Sequence, residues 1–214
     1  NLEWRRSIPE SEPAALPAFW SKSDVEERLF PTSGDSPRVV SLNTHADETR
    51  MLPGIEGAED GRFADTALLN AGDYANREAL AESLVFMIGC HAGGNLPTSY
   101  YGDVTDWADV FGSSAGFVGN TGFGLANNVT TALGERLLDL YSDWIGVETP
   151  TGTVSSAGAL TYAKQSYLGG LGLYSGYDGK VLMQAVYYGL PMYTFSDAAS
   201  GDTKEAPLPV IPDD

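Results

Sequence analysis

The sequence predicts an α/β fold, a mainly parallel sheet with helices on both faces. Three observations predict it. Short apolar or β-branched runs recur along the chain, segments of helical period stand between them, and the most apolar run, Ser83-Leu-Val-Phe-Met-Ile88, lacks polar alternation. A strand with no polar face is one buried on both sides. Strands that alternate with helices in this way fold as parallel sheets with crossover helices.

The elements follow in order. Arg38-Val-Val-Ser-Leu42 reads as the first strand, 78–82 favours helix, and 83–88 is the second strand. Gly116-Phe-Val-Gly119 is a third. A helix is expected over 127–145, because Val129, Leu133, Leu137, Leu140, Tyr141 and Trp144 recur at three- and four-residue steps. A second helix is expected over 156–168 and a third over 178–188, capped by Asp178, with Met192-Tyr-Thr-Phe195 closing as a strand. Ahead of these, Pro9, Pro13, Pro17, Pro31 and Pro37 interrupt residues 1–37, leaving room for one short helix over 23–29 with Ser23 as cap. The end of the chain, Pro-Leu-Pro-Val-Ile-Pro-Asp-Asp, reads as a tail or linker. The expected organisation is a proline-rich segment at 1–37, a folded domain at 38–198 and a tail at 199–214, cut from a longer multidomain protein.

Bulk properties bound the function. The 214 residues suffice for one domain with a substantial core, and 43% hydrophobic residues exclude wholesale disorder. A net charge of −17 repels phosphate backbones, so no nucleic-acid partner is expected. No apolar run reaches the roughly 18–20 residues of a membrane span. Cys90 is the one cysteine, which excludes an intrachain disulfide and a zinc site built from several cysteines. The histidines are His45 and His91.

Ligands of such sheets bind outside the carboxyl ends of the strands. His45 comes three residues after Leu42, and Cys90 two residues after Ile88. Adjacent strands lie about 4.8 Å apart, so loops from neighbours can bring imidazole and thiol together. A thiol of ordinary pKa, about 8.5, is mostly protonated at neutral pH. A nearby imidazole accepts that proton and later returns it to a leaving amine. The run Gly89-Cys90-His91-Ala92-Gly93-Gly94 permits the tight turn and close backbone approach that an oxyanion site needs. A lone cysteine at the end of a buried strand is also a common inert core residue, and the residues alone leave both readings open. His91 adjoins Cys90, reads as a turn residue, and is the reserve base.

The order strand, His, strand, Cys is that of caspase-like peptidases, and the separation of the two residues is close to the roughly 50 seen in caspases. Four segments resemble the gingipain family of secreted bacterial cysteine peptidases more closely. Val85-Phe-Met-Ile-Gly-Cys-His-Ala-Gly-Gly-Asn-Leu-Pro97 resembles that family's nucleophile segment, and Ser41-Leu-Asn-Thr-His-Ala-Asp47 its histidine segment. Phe117-Val-Gly-Asn-Thr-Gly-Phe-Gly124 resembles the strand and turn that follow, and 181–195, with Tyr188-Gly-Leu-Pro191, the last helix and strand. The likeness covers about 38–196.

The resemblance implies a caspase-like three-layer sandwich and hydrolysis of peptide bonds through a thioester. It implies Cys90 as nucleophile, His45 as general base and acid, and the backbone N–H groups of Ala46 and Cys90 as oxyanion donors. Substrate would lie between the loops at 119–122 and 98–106, against Asp47, Glu48, Asp103, Asn120 and Thr121. An acid there would select Arg or Lys before the scissile bond. Implied partners are a peptide or protein substrate, at the surface of a bacterium or outside it. No cofactor is implied beyond calcium, which some relatives bind and for which Asp103, Asp106 and Asp109 are the available acids. Two departures stand out: Ala46 occupies a position where glycine is common, and only residues 1–37 precede the first strand. Two other functions compete, a peptide-binding or scaffold module that keeps the fold without turnover, and a thiol acyltransferase using the same pair.

Overall fold

Short apolar runs supply the strands, and amphipathic runs supply the helices that cover them. The computed structural model describes residues 21–29, 37–52, 68–75, 82–112, 116–126 and 130–195. In chain order its elements are α1 (Lys22–Leu29), β1 (Val39–Leu42), β2 (Arg50–Met51), β3 (Leu69–Asn70) with a 3-10 turn at Ala71–Tyr74, β4 (Leu84–Met87), α2 (Thr98–Tyr101), α3 (Trp107–Gly112) and β5 (Gly116–Asn120). Then come α4 (Gly134–Trp144), β6 (Glu148–Thr149), β7 (Gly152–Thr153), α5 (Ser156–Gly169), α6 (Gly176–Gln184) and β8 (Ala185–Gly189). One sheet has the order β1-β4-β5-β8. The first two pairings are parallel and the last antiparallel. The fold is α/β with a mainly parallel, mixed four-stranded sheet.

β4 dictates this arrangement. Its Leu-Val-Phe-Met run is buried at every position, so it needs strands on both sides and cover on both faces. Alternation sends Val85 and Met87 into a cluster with Trp107 and Phe111 of α3 and Val25 and Leu29 of α1. Leu84 and Phe86 enter a second cluster with Leu137 and Tyr141 of α4, Ala159 and Ala163 of α5, and Val181 of α6. Helices therefore pack on both faces.

Hydrogen bonds lock the second cluster. Tyr141 donates its hydroxyl to the Ser156 carbonyl (3.1 Å), and Trp144 donates Nε1–H to Ser166 Oγ (3.2 Å). α6 begins with a capping box: Ser175 Oγ accepts from the Asp178 N–H, and the Asp178 carboxylate accepts from the Ser175 N–H at 2.8 Å. Tyr167 donates to the same carboxylate (2.8 Å), tying α5 to α6.

Several expectations need correction. The helix expected over 127–145 is α4, which starts at Gly134; 130–133 are not helical, and 127–129 lie outside the described residues. Leu133 takes φ 55°, which no α-helix continues, yet its side chain packs against the second cluster. Its apolar character thus follows from burial in a loop, although it keeps the helical period. The helix expected over 178–188 ends at Gln184, and Ala185-Val-Tyr-Tyr-Gly189 forms β8, antiparallel to β5 from Ala185↔Asn120 to Gly189↔Gly116. A β-branched residue and two aromatics in succession suit a strand better than a helix. The α6 helix passes into β8 with no loop, because Ala185 is already extended (φ −73°, ψ 111°). The cap of α6 is Ser175, not Asp178, and that of α1 is Ser21, whose Oγ accepts from the Asp24 N–H (3.3 Å). The strand expected at 192–195 reduces to one bridge, Ser155↔Thr194. The helix expected over 78–82 lies outside the described residues apart from Glu82, which sits in a turn. The proline-rich segment is described only at 21–29 and 37, and the 199–214 tail lies outside the described residues. Among the described residues, no helix is long and apolar enough to cross a membrane.

One contact sets the loops at the carboxyl end of the sheet. Gly93, after β4, and Gly119, in β5, meet backbone to backbone. A Cβ on Gly93 would lie 2.5 Å from the Gly119 carbonyl carbon, and one on Gly119 would lie 2.7 Å from Gly93 N. Gly119→Ala is therefore expected to lower stability by about 1–3 kcal/mol in urea denaturation. An unchanged midpoint would argue against this close approach.

Candidate functional site

The pairing of β1 with β4 sets the geometry of the site. Its register runs from Val39↔Leu84 to Leu42↔Met87. The offset in every pair equals the separation of His45 from Cys90, so each of the two follows the last pair, Leu42↔Met87, by three residues. The chains do stay together past the strands. A Cβ on Gly89 would lie 2.7 Å from the Thr44 carbonyl oxygen and 2.7 Å from Ala46 Cβ, the residues flanking His45. Glycine at this position is what lets the two loops touch. Cys90 is a free, half-buried thiol, and His45 is exposed. Among the described residues no hydrogen bond joins them.

The turn that carries Cys90 is gripped from three sides. The His91 N–H donates to the Gly122 carbonyl (2.7 Å), the Gly93 N–H to the Asn120 carbonyl (2.8 Å), and the Tyr188 hydroxyl to the Gly93 carbonyl (2.6 Å). Asn120, buried at the end of β5, donates Nδ2–H to the Ile88 carbonyl (2.9 Å). His91 completes the turn with φ 55° and a Gly94 N–H bond to its carbonyl (2.7 Å). Its ring stands edge-on to Phe123, 4.7 Å between centroids, and its Nδ1 is 3.4 Å from Glu48 Oε1.

Two backbone donors on these loops have no recorded partner among the described residues. Ala46 pairs with Met51 in an antiparallel bridge whose bonds run from the Leu52 N–H to the His45 carbonyl and from the Asp47 N–H to the Arg50 carbonyl, both 2.9 Å. That pattern leaves the Ala46 N–H out of the ladder. Among the described residues, no hydrogen bond uses the N–H of Ala46 or of Cys90. Ala46 is not in the positive-φ region, so alanine in place of glycine carries no strain there.

The expected substrate residues fare differently. Asp47 accepts from the N–H groups of Thr49 (2.9 Å) and Arg50 (2.7 Å) and forms a two-point pair with the Arg50 guanidinium (2.9 and 2.6 Å). Burial alone would raise its carboxyl, but these partners outweigh burial and hold it below its ordinary value of 3.8. Its charge is thus spent within its own loop. Glu48 faces His91, while Asp103 is exposed between α2 and α3. Asn120 is structural in its contacts, and Thr121 is exposed, its N–H bonded to the Gln184 carbonyl (2.9 Å). Asp106 is fully buried and accepts from the Leu96 N–H (2.6 Å) and the Asp109 N–H (2.8 Å). Burial pushes its carboxyl up against those bonds, and it caps α3. Among the described residues, no group of three His, Cys, Asp or Glu side chains is placed to hold a metal ion.

Tyr188, Lys180 and Gln184, which border the loops after β4 and β5, do not stand out in a sequence that predicts one helix over 178–188. Their positions depend on where α6 stops. No protein-family model, curated protein or solved structure matches the chain.

The Asp47 pair has a pH signature. A carboxylate whose folded pKa is depressed adds stability above its unfolded pKa, and that stability is lost as pH falls through the folded value. Asp47→Asn should melt below the unsubstituted protein at neutral pH, and the gap should close below about pH 4. A gap of constant size down to about pH 2 would contradict the pairing.

Proposed function

We propose that this chain is a cysteine peptidase domain resembling the gingipain family, with a caspase-like three-layer sandwich, Cys90 as nucleophile and His45 as general base and acid. The observation that carries the reading is the parallel register of β1 on β4, ending at Leu42↔Met87, from which His45 and Cys90 each follow by three residues. The contact of Gly89 with Thr44 and Ala46 supports it, as do the two backbone N–H groups left without partners among the described residues.

In this mechanism imidazole takes the thiol proton and the thiolate attacks the peptide carbonyl. The C–S bond forms as the carbonyl oxygen takes up charge facing the N–H groups of Ala46 and Cys90. The C–N bond then breaks, and imidazolium returns its proton to the leaving amine. Water, deprotonated by the same imidazole, hydrolyses the thioester and restores the thiol. Hydrogen bonds of this kind are often long or absent before substrate arrives.

A second reading has one observation in its favour. No hydrogen bond joins Cys90 to His45 among the described residues, as in a peptide-binding module without turnover. Labelling by a peptidyl acyloxymethyl ketone, followed by mass spectrometry, separates the two. The peptidase reading expects labelling at Cys90 that slows by about 100-fold or more in His45→Ala at unchanged melting temperature. Equal, slow labelling of both proteins would favour the binding module.

A further inference from the structure

Gln184, the last residue of α6, is a buried amide with nothing to bond. It is 6% exposed, and neither Nε2 nor Oε1 has a hydrogen-bond partner among the described residues. Leaving a buried donor and acceptor unsatisfied forfeits their hydration without return, so such an amide calls for an explanation.

Its position supplies one. A Cβ on Gly122 would lie 3.1 Å from Gln184 Oε1 and 3.9 Å from Lys180 Cε. The Gly122 carbonyl holds the His91 N–H, one residue from Cys90. The turn at 121–123 therefore has the nucleophile loop on one side and α6 on the other. Phe123, 63% exposed, stands between His91 and Lys180, whose ammonium lies 5.2 Å from its ring centroid.

We propose that Gln184 forms the floor of a subsite beside Cys90 that takes a carboxamide side chain, Asn or Gln, from a peptide; this rests on the peptidase reading. A carboxamide matches both unsatisfied groups, its oxygen accepting from Nε2 and its N–H donating to Oε1. A carboxylate sets its second oxygen against Oε1. An Arg or Lys side chain meets the Lys180 ammonium, while Asp47 is already held by Arg50. Entry requires the Gly122–Phe123 turn to shift off the amide, and glycine at 122 sets no Cβ against Gln184 Oε1.

The test compares peptidyl acyloxymethyl ketones that differ only in the residue beside the electrophile: Gln, Glu, Leu or Arg. The Gln probe should label Cys90 at least about tenfold faster than the Leu probe, with Arg slowest. That ratio should collapse toward one in Gln184→Met, which removes the amide, and in Gly122→Ala, which retains the amide but covers it. Gln184→Met should melt no lower than the unsubstituted protein, since it removes unsatisfied groups. A lower melting temperature would show the amide to be satisfied within the fold and would overturn the proposal. An unchanged probe ratio in both variants, or fastest labelling by Arg or Glu, overturns it while the peptidase reading stands. Absence of His45-dependent labelling with every probe overturns both.

Discussion

The contact of the Gly93 and Gly119 backbones governs everything built at the carboxyl end of the sheet. Main chain can approach main chain this closely only where both residues lack a side chain. With the loop seated there, the Gly93 N–H reaches Asn120, Tyr188 reaches the Gly93 carbonyl, and His91 reaches Gly122. Cys90 thus rides on a segment fixed to β5 and β8 as well as to its own strand. Backbone hydrogen bonds supply much of the restraint on its position.

Charge around the site is largely committed. The chain carries 29 acidic residues, yet the acids nearest the loops have local duties. Asp47 is held by Arg50, Glu48 faces His91, and Asp106 organises the start of α3. An acidic composition therefore does not make an acidic pocket. The cation of α6, Lys180, sits over Phe123, 5.2 Å from its ring centroid.

The central strands were legible because burial on both faces leaves a plain mark: four successive apolar residues with glycine soon after. His45 and Cys90 were legible as residues at strand ends, since the rule that places ligands there needs only strand boundaries. The residues that border the turn at 121–123 were not. Lys180, Gln184 and Tyr188 belong to a helix and a strand that abut without a turn residue between them, so no glycine or proline announces the change. Apolar periodicity misled at Leu133 for a related reason: a loop residue that packs into the core keeps the spacing of a helix without its dihedrals. Capping was misread by a residue or more because Ser and Asp occur as pairs, and the pattern alone does not say which member stands outside the helix.

The loopless junction at Gln184–Ala185 has a mechanical consequence. A linker between helix and strand would absorb small movements of either, but here the last turn of α6 and the first residue of β8 share one rigid stretch of backbone. Ala185 is paired with Asn120, its carbonyl takes the Lys164 ammonium at 2.7 Å, and the Gln184 carbonyl takes the Thr121 N–H. Any tilt of α6 would therefore pass to the strand and turn beside Cys90 with no loop residue between them to take it up.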